Sequence, residues 1–357
     1  MFSAFLPLVL TVTTTQIKVL ITGGGAPGAA GIIHCLRQDN TIHITAVDAN
    51  AESAGRLLAD EFATIPLATD PVFITSLLEV CKQKNIQFLL PLVTKELLPL
   101  AQHADTFKAI GTTVIISPAA SLEIANDKSR LYQFLQWRGI AVPEFRVTET
   151  AEQFETAAKE LGYPAKPFCF KPSVANGSRG FRIIDNTVDE HHFLFNEKPN
   201  STYIAYEKAI SILSAKPFPE LLVSEVLPGN EISVDCLANH GETIIALPRL
   251  RTKMINGISV AGEFVEEKNV ISYCTKIIQE LQLHGNIGIQ VKQSASGDYL
   301  VLEINPRVQG TIAAALGAGV NLPLLAIRQQ AGFPFSQNDL RVKWGTKFVR
   351  HWKELFY

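Results

Sequence analysis

Apolar and polar positions along this chain follow two rhythms. From Lys18 to Pro118 the short β-rich runs "KVLIT", "HITAVD", "FLLPLV" and "TVIIS" are separated by stretches of helical length. That spacing predicts a parallel sheet with helices on its faces. After "SPAASLEIANDKSR" the pattern changes. Leu131, Phe134 and Leu135 recur at helical spacing, and "GIAVPEF" stops that helix. Beyond Lys166 the signals are those of hairpins, with strand-like runs around "PGN" in "LLVSEVLPGNEISVDCL" and around "ASGD" in "GNIGIQVKQSASGDYLVLEINP". No repeat and no low-complexity linker interrupts them, so the sections are expected to pack closely.

Composition narrows the class. At 357 residues the chain exceeds what one core usually organises, which predicts two or three domains. Its net charge of −2 offers no basic field to draw in nucleic acid or an anionic membrane surface. Five cysteines are scattered singly without a CxxC pair, as expected of reduced thiols in a cytoplasm. The opening "MFSAFLPLVLTVTTT" is broken by Pro7 and has no Lys or Arg before Lys18, which reads as an extension rather than a signal or a span. His191-His192 and the other histidines lack metal-ligand spacing, and no role is assigned to them.

Three stretches carry candidate chemistry. "VLITGGGAPGAAGIIHCL" runs strand, glycines, helix, and Asp48 ends the next strand. Two readings stand: a dinucleotide-binding turn, or a turn whose glycines serve close packing. In "FKPSVANGSRG" a lysine, Lys171, precedes a flexible glycine loop of the sort that lets backbone amides approach phosphate, though the common G-x-x-x-x-G-K-[ST] order is absent. In "LEINPR", Glu303 and Asn305 lie two apart on a strand and share a face, as suits a hard cation that wants oxygen donors. If the hairpin turns on Ser296-Gly297, paired residue numbers sum to 593 and Gln290 falls across from Glu303. A bulge would shift that by one.

"FKPSVANGSRG", "SEVLPGNEISVD" and "LEINPRVQGT", in that order, resemble the ATP-grasp superfamily, most nearly the proteins similar to the synthetase half of carbamoyl-phosphate synthase large chains. "TGGGAPGAAGI" looks like their pre-ATP-grasp domain and "KFVRHWKELF" like their closing strand. The resemblance implies an α/β protein with a Rossmann-like parallel-sheet domain followed by a two-subdomain α+β ATP-grasp fold. The expected boundaries are 1–16 for the extension, 17–118 for the first domain, 119–200 for a small lid subdomain and 201–357 for the C-terminal subdomain.

The resemblance also implies roles, residue by residue. Lys128 and Lys171 would contact ATP phosphates, with Ser178 and Arg179 in the loop over them. Glu225, Val226 and Leu227 would meet the adenine edge, and Glu231 the ribose. Gln290, Glu303 and Asn305 would hold Mg²⁺, with Mn²⁺ as an alternative. Arg307 would steady the transferring phosphoryl group or the substrate carboxylate. Arg249 and Arg251, alternating on one strand face, are expected to hold a second anionic group. The implied activity is an ADP-forming, ATP-dependent carboxylate–amine ligase working through an acyl phosphate on small molecules; the sequence leaves the oligomeric state open, a homodimer being the usual symmetric arrangement. Two other enzymes and one sensor remain open here. One enzyme would form carbamoyl phosphate with a partner. The other would be an NAD(P)-dependent oxidoreductase using the front glycine turn. The sensor would bind nucleotide without catalysis.

Overall fold

The computed structural model describes residues 16–175, 179–196, 201–255 and 257–357. Three sheets follow one another along the chain. The first is parallel throughout, with strands β1 (Ile17–Ile21), β2 (Ile42–Asp48), β3 (Glu61–Thr64), β4 (Phe88–Leu90) and β5 (Thr113–Val114) in the order β3-β2-β1-β4-β5. Four of these strands are the apolar runs legible in the sequence. The fifth, β3, is an edge strand of sequence EFAT, too short and too polar for alternation to announce. The order reverses direction between β1 and β4, which opens a crevice at the carboxyl ends of those strands.

The second sheet joins β6 (Phe145–Thr148), β7 (Phe168–Pro172), β8 (Arg182–Ile184) and β9 (Leu221–Glu225) in the order β6-β9-β7-β8. Strand β9 pairs with both β6 and β7, so the sheet crosses the expected boundary at 200/201. The third sheet holds β10 (Glu231–Asn239), β11 (Glu242–Ile255), β12 (Ile258–Phe264), β13 (Gly285–Gln293), β14 (Tyr299–Asn305) and β15 (Lys347–Val349), ordered β14-β13-β10-β11-β12-β15. The short β15, drawn from "KFVRHWKELF", closes the edge beside β12.

The cores interlock. Leu131, Tyr132 and Leu135 of the helix Lys128–Trp137 pack with Ile232, Val234, Ile287 and Ile289, beneath the third sheet. Another cluster merges Val19, Ile33 and Leu36 of the first domain with Leu247, Ile312 and Leu325 of the C-terminal part. This contact explains two glycines of the front turn. A Cβ at Gly28 would lie 2.4 Å from Gly310 Cα, and one at Gly31 would lie 2.8 Å from Ala313 Cβ. Glycine is needed there because another backbone occupies the space.

Gly28→Ala is therefore expected to destabilise the protein by about 1–3 kcal/mol through overpacking. Gly317→Ala, where a Cβ meets nothing closer than 3.4 Å and the backbone is right-handed, is expected to be neutral or slightly stabilising. Thermal unfolding of the two variants checks the contrast.

Candidate functional site

Cross-strand partners share a face of a sheet, so the ladder registers assemble the site directly. Glu303 on β14 pairs with Gln290 on β13, Gln290 with Ser233 on β10, and Ser233 with Arg249 on β11. The next row on that face runs Asn305, Gly288, Asp235, Leu247. The register at Glu303 is the one obtained by summing to 593, but the hairpin reaches it differently. Residues 294–298 form a longer connection, Gln293 pairs with Tyr299, and the ladder shifts between Gln290 and Val291, leaving Leu302 as the extra residue.

That bulge has a chemical use. The Leu302 carbonyl accepts a hydrogen bond from Lys171 Nζ at 2.8 Å, and the Val301 carbonyl accepts one from the Tyr132 hydroxyl at 2.7 Å. Lys171 leaves β7 as a half-buried residue, yet its ammonium end lies deep, 5.4 Å from the centre of the Tyr132 ring. Burial pulls its pKa down to about 8, opposed by the nearby Glu303 carboxylate. Lys128, in the first turn of its helix, donates to the Ala175 carbonyl at 2.6 Å and stands 4.0 Å from Glu303 Oε2. Burial lowers its pKa as well, and Glu303 again raises it.

The remaining side chains link in series. Asn305 Nδ2 donates to Glu303 Oε1 at 3.3 Å, and Arg307 Nη2 donates to Asn305 Oδ1 at 3.2 Å. Arg307 Nε donates to Thr94 Oγ1 at 2.9 Å, which ties the site to the first domain. Arg251 donates to Glu231, to Ser259 Oγ at 2.9 Å and to Gln290 Oε1 at 3.3 Å. Lys128, Lys171, Arg307, Gln290, Glu303, Asn305, Glu231 and Arg251 thus form one connected patch.

Other expected residues take different places. Arg249 is fully buried, donating to Asp235 Oδ2 at 3.2 Å and to Thr311 Oγ1 at 2.8 Å, with Phe348 of β15 stacked over it. A guanidinium enclosed in that way belongs to the packing between strands. Arg251 has a side chain only 4% exposed and is spent on Glu231. The two arginines therefore do not form the fork for a second anion that their alternation suggests. The Glu225 carboxylate accepts from the Glu144 N–H at 2.9 Å, so it fastens β6 to β9. Leu227 is buried and Val226 half-buried beside it, while Arg179 is exposed. Ser178 lies outside the described residues.

The front turn is committed to structure. Asp48 Oδ2 accepts from the Gly25 N–H at 2.7 Å and Oδ1 from the Asn50 N–H at 2.8 Å. Gly310 lies against Gly28 at the start of the first helix, where a pyrophosphate would have to sit. The close contacts at Gly28 and Gly31 accord with the packing reading of these glycines. Sequence reasoning missed Thr94, Tyr132 and Glu96. Each acts through a partner 70 or more residues away, which no local spacing reveals.

A broader depression of about 360 Å³ lies by β6 and the helix Ala151–Glu160, but its Arg146 is already paired with Glu160. Among the described residues no three His, Cys, Asp or Glu side chains gather as a metal cluster, and no helix is long and apolar enough to cross a membrane.

Comparison with known proteins agrees with this architecture. Residues 19–115 match the family described as "PylC-like, N-terminal domain", and residues 217–348 match "ATP-grasp in the biosynthetic pathway with Ter operon". The arginine-specific carbamoyl phosphate synthase large chain of Bacillus subtilis is 24% identical over 285 residues, or 77% of this chain. The chain spans only 25% of that relative's length. In structure it is similar to an N5-carboxyaminoimidazole ribonucleotide synthetase solved as its ADP complex, with a TM-score of 0.68 at 15% identity over 92% of this chain and 80% of the other. The biotin carboxylase domain of Hydrogenobacter thermophilus 2-oxoglutarate carboxylase, solved as a dimer with MgADP, ADP and bicarbonate, gives 0.67 at 20% identity over 91% and 72%. These likenesses establish the shared fold: the chain carries a PylC-like N-terminal domain followed by an ATP-grasp domain.

Proposed function

We propose that the protein is an ATP-dependent, ADP-forming carboxylate–amine ligase. One observation carries the reading: Lys128, Lys171 and Arg307 are drawn out of water on or beside one sheet face, with Glu303 the one carboxylate that faces all three. Cations partly removed from water without matching carboxylates favour a polyanionic ligand. A nucleoside triphosphate supplies that charge. The similar structures solved with ADP or MgADP support its identity.

In this reading Lys128 and Lys171 hold phosphates, together with Arg179 and Ser178 of the loop. The segment Glu225 to Leu227 borders the adenine, and Glu231 takes the ribose by sharing its carboxylate with Arg251. Glu303, Asn305 and Gln290 form an all-oxygen donor set with a single carboxylate. That is too little charge for a closed protein cage but fits Mg²⁺, which takes its other oxygens from phosphates and water. Bound there, the metal would neutralise charge on the phosphate oxygens. Mn²⁺ suits the same donors. The domains are proposed as 17–118, a lid that includes β9, and the remainder, within a symmetric dimer.

The chemistry balances without a protein nucleophile. A carboxylate oxygen of the substrate attacks the γ-phosphorus, the bond to the ADP oxygen breaks, and ADP leaves with that electron pair. Lys171 and Arg307 stabilise charge as it spreads over the equatorial oxygens. An amine then attacks the acyl carbon, the C–O bond breaks, and phosphate departs carrying the substrate's oxygen. The amine's extra proton passes to phosphate or water.

Hydroxylamine should intercept the acyl phosphate and give a hydroxamate that requires both ATP and the right acid. With ¹⁸O in the carboxylate, one labelled oxygen should appear in phosphate. Formation of AMP and pyrophosphate with no oxygen transfer would sink the proposal, and bicarbonate as the only acid consumed would redirect it to carbamoyl phosphate.

Glu303→Ala is expected to retain the fold, since the side chain is part-exposed at a strand end, and to lose ADP formation by a factor of a hundred or more (about 3 kcal/mol). Undiminished turnover in the folded variant removes the metal assignment.

Lys171→Met separates binding from stability. Below about pH 8 the folded and unfolded chains both carry the Lys171 proton, and the folded chain bears the full cost of burying it. Between about pH 8 and 10.5 the unfolded chain binds the extra proton, so this residue's contribution to stability rises with pH. Lys171→Met is thus expected to stabilise the fold by about 1–3 kcal/mol at pH 7, a gain that fades towards pH 10.5, while MgATP binding is lost. Chemical denaturation at several pH values, with calorimetry for ATP, reads both.

A further inference from the structure

A cavity of about 140 Å³ sits at the crevice between β1 and β4, lined in part by Gly23, Asp48, Leu67, Val93, Lys95 and Glu96. Ligands of doubly wound sheets bind at such a reversal of strand order. The volume suits a small head group, since sites for larger ligands run to roughly 300–1,000 Å³. Two carboxylates serve it. Asp48 ends β2, and Glu96 lies in the first turn of the helix Thr94–Gln102, only 7% exposed. The Glu96 Oε2 accepts from the Thr22 hydroxyl, whose oxygen in turn accepts from the Leu92 N–H at 3.1 Å. Burial first, and then the charge of Asp48, push the Glu96 pKa up to about 7, which costs free energy that a nearby cation would recover. Lys95 is exposed, and Leu67 and Val93 give the cavity an apolar wall.

The cavity adjoins the phosphoryl-transfer residues. Thr94, between the lining residues Val93 and Lys95, accepts the hydrogen bond from Arg307 Nε. The cavity thus has two acids in its lining, and Arg307 is bonded to Thr94, which sits in the chain between two lining residues. We infer that it recognises a zwitterionic small molecule, an amino acid whose ammonium group lies between Asp48 and Glu96 and whose carboxylate is directed to Arg307. Asp48 already accepts two backbone N–H groups, but an ionised carboxylate has lone pairs for more. The bound ammonium is not the attacking amine. A nucleophilic amine must be uncharged, whereas two carboxylates hold it protonated. That the carboxylate is the activated end rests on the ligase reading. The ammonium site does not.

The test uses the full, nucleotide-free chain. Binding of glycine, β-alanine, γ-aminobutyrate, alanine and ornithine is measured by saturation-transfer NMR and calorimetry against acetate, propionate, butyrate and pentanoate. At least one amino acid is expected to bind and none of the acids lacking an amine. Glu96→Gln, which keeps a partner for Thr22, should weaken that amino acid tenfold or more while MgATP affinity changes less than twofold. At pH 6.5 the ammonium should drive a proton off Glu96, so the wild type releases protons on binding in buffers of differing ionisation enthalpy and Glu96→Gln does not. Equal binding of the amine-free acids, no binding by any amino acid, or unchanged affinity in folded Glu96→Gln overturns the inference. Amino-acid binding without hydroxamate formation would leave the pocket standing and remove the ligase. Hydroxamates formed equally from amine-free acids would do the reverse.

Discussion

One unpaired residue, Leu302, sets the register on which the site depends. The connection between β13 and β14 is longer than a two-residue turn, and the ladder leaves it with Gln293 opposite Tyr299. Continued without a bulge, that register would put Glu303 across from Ile289, whose side chain lies in the apolar core. A one-residue slip in a strand exchanges its two faces, so the carboxylate would turn into the core and Ile304 into the cleft. The extra residue restores Glu303 to Gln290 and Asn305 to Gly288. It also gives the buried end of Lys171 the Leu302 carbonyl as an acceptor. The proposed metal donors and the lysine proposed to hold phosphate are fixed by the same irregularity.

Electrostatics then divides the arginines by depth. Arg249 and Asp235 are both fully buried, where a lone charge would be expensive, and each largely compensates the other. Their neighbours Thr311 and Phe348 lie on the loop after Arg307 and on the closing strand, so the pair joins three parts of the C-terminal region. Arg251 and Glu231 lie at the edge of the cleft, where a ribose could compete for the carboxylate. Arg307 is the member whose bonds reach across to the first domain. Alternation along β11 puts Arg249 and Arg251 on the same face but cannot tell how deep each lies, because depth depends on what covers that face.

What could be read from the sequence follows the range of the interactions involved. Strands whose apolar residues alternate or run together were legible, as were the shared face of Glu303 and Asn305 and the helix start at Lys128. The pairing of Gln290 with Glu303 was reached through a turn that does not exist, because the longer connection and the bulge shift the register in opposite directions. Strand β9 lies beyond the expected lid boundary, since no composition change marks a strand that returns to its sheet after 30 or more residues. Glu96 reads as an ordinary first-turn glutamate. Only the meeting of Thr22, Asp48 and Glu96, contributed by separate strands and a helix, makes it a buried acid.

The glycine turn and the cavity show how one segment serves two needs. Gly28 and Gly31 let the segment that follows Arg307 press against the first domain, and that contact helps hold Arg307 beside Thr94. Gly23, in the left-handed region at φ +60° and lining the cavity, lets the chain turn between Thr22 and the loop that Asp48 closes. Gly310 packs against that turn at Gly28, the residue that caps its helix. That contact belongs to the core the two domains share, and the shared core holds Thr94, the neighbour of two cavity-lining residues, against Arg307. A first domain free to swing would leave Thr94, and the pocket beside it, at no fixed distance from Arg307. Close packing at glycine is therefore a positioning device for chemistry carried by residues nearly 300 positions further along the chain.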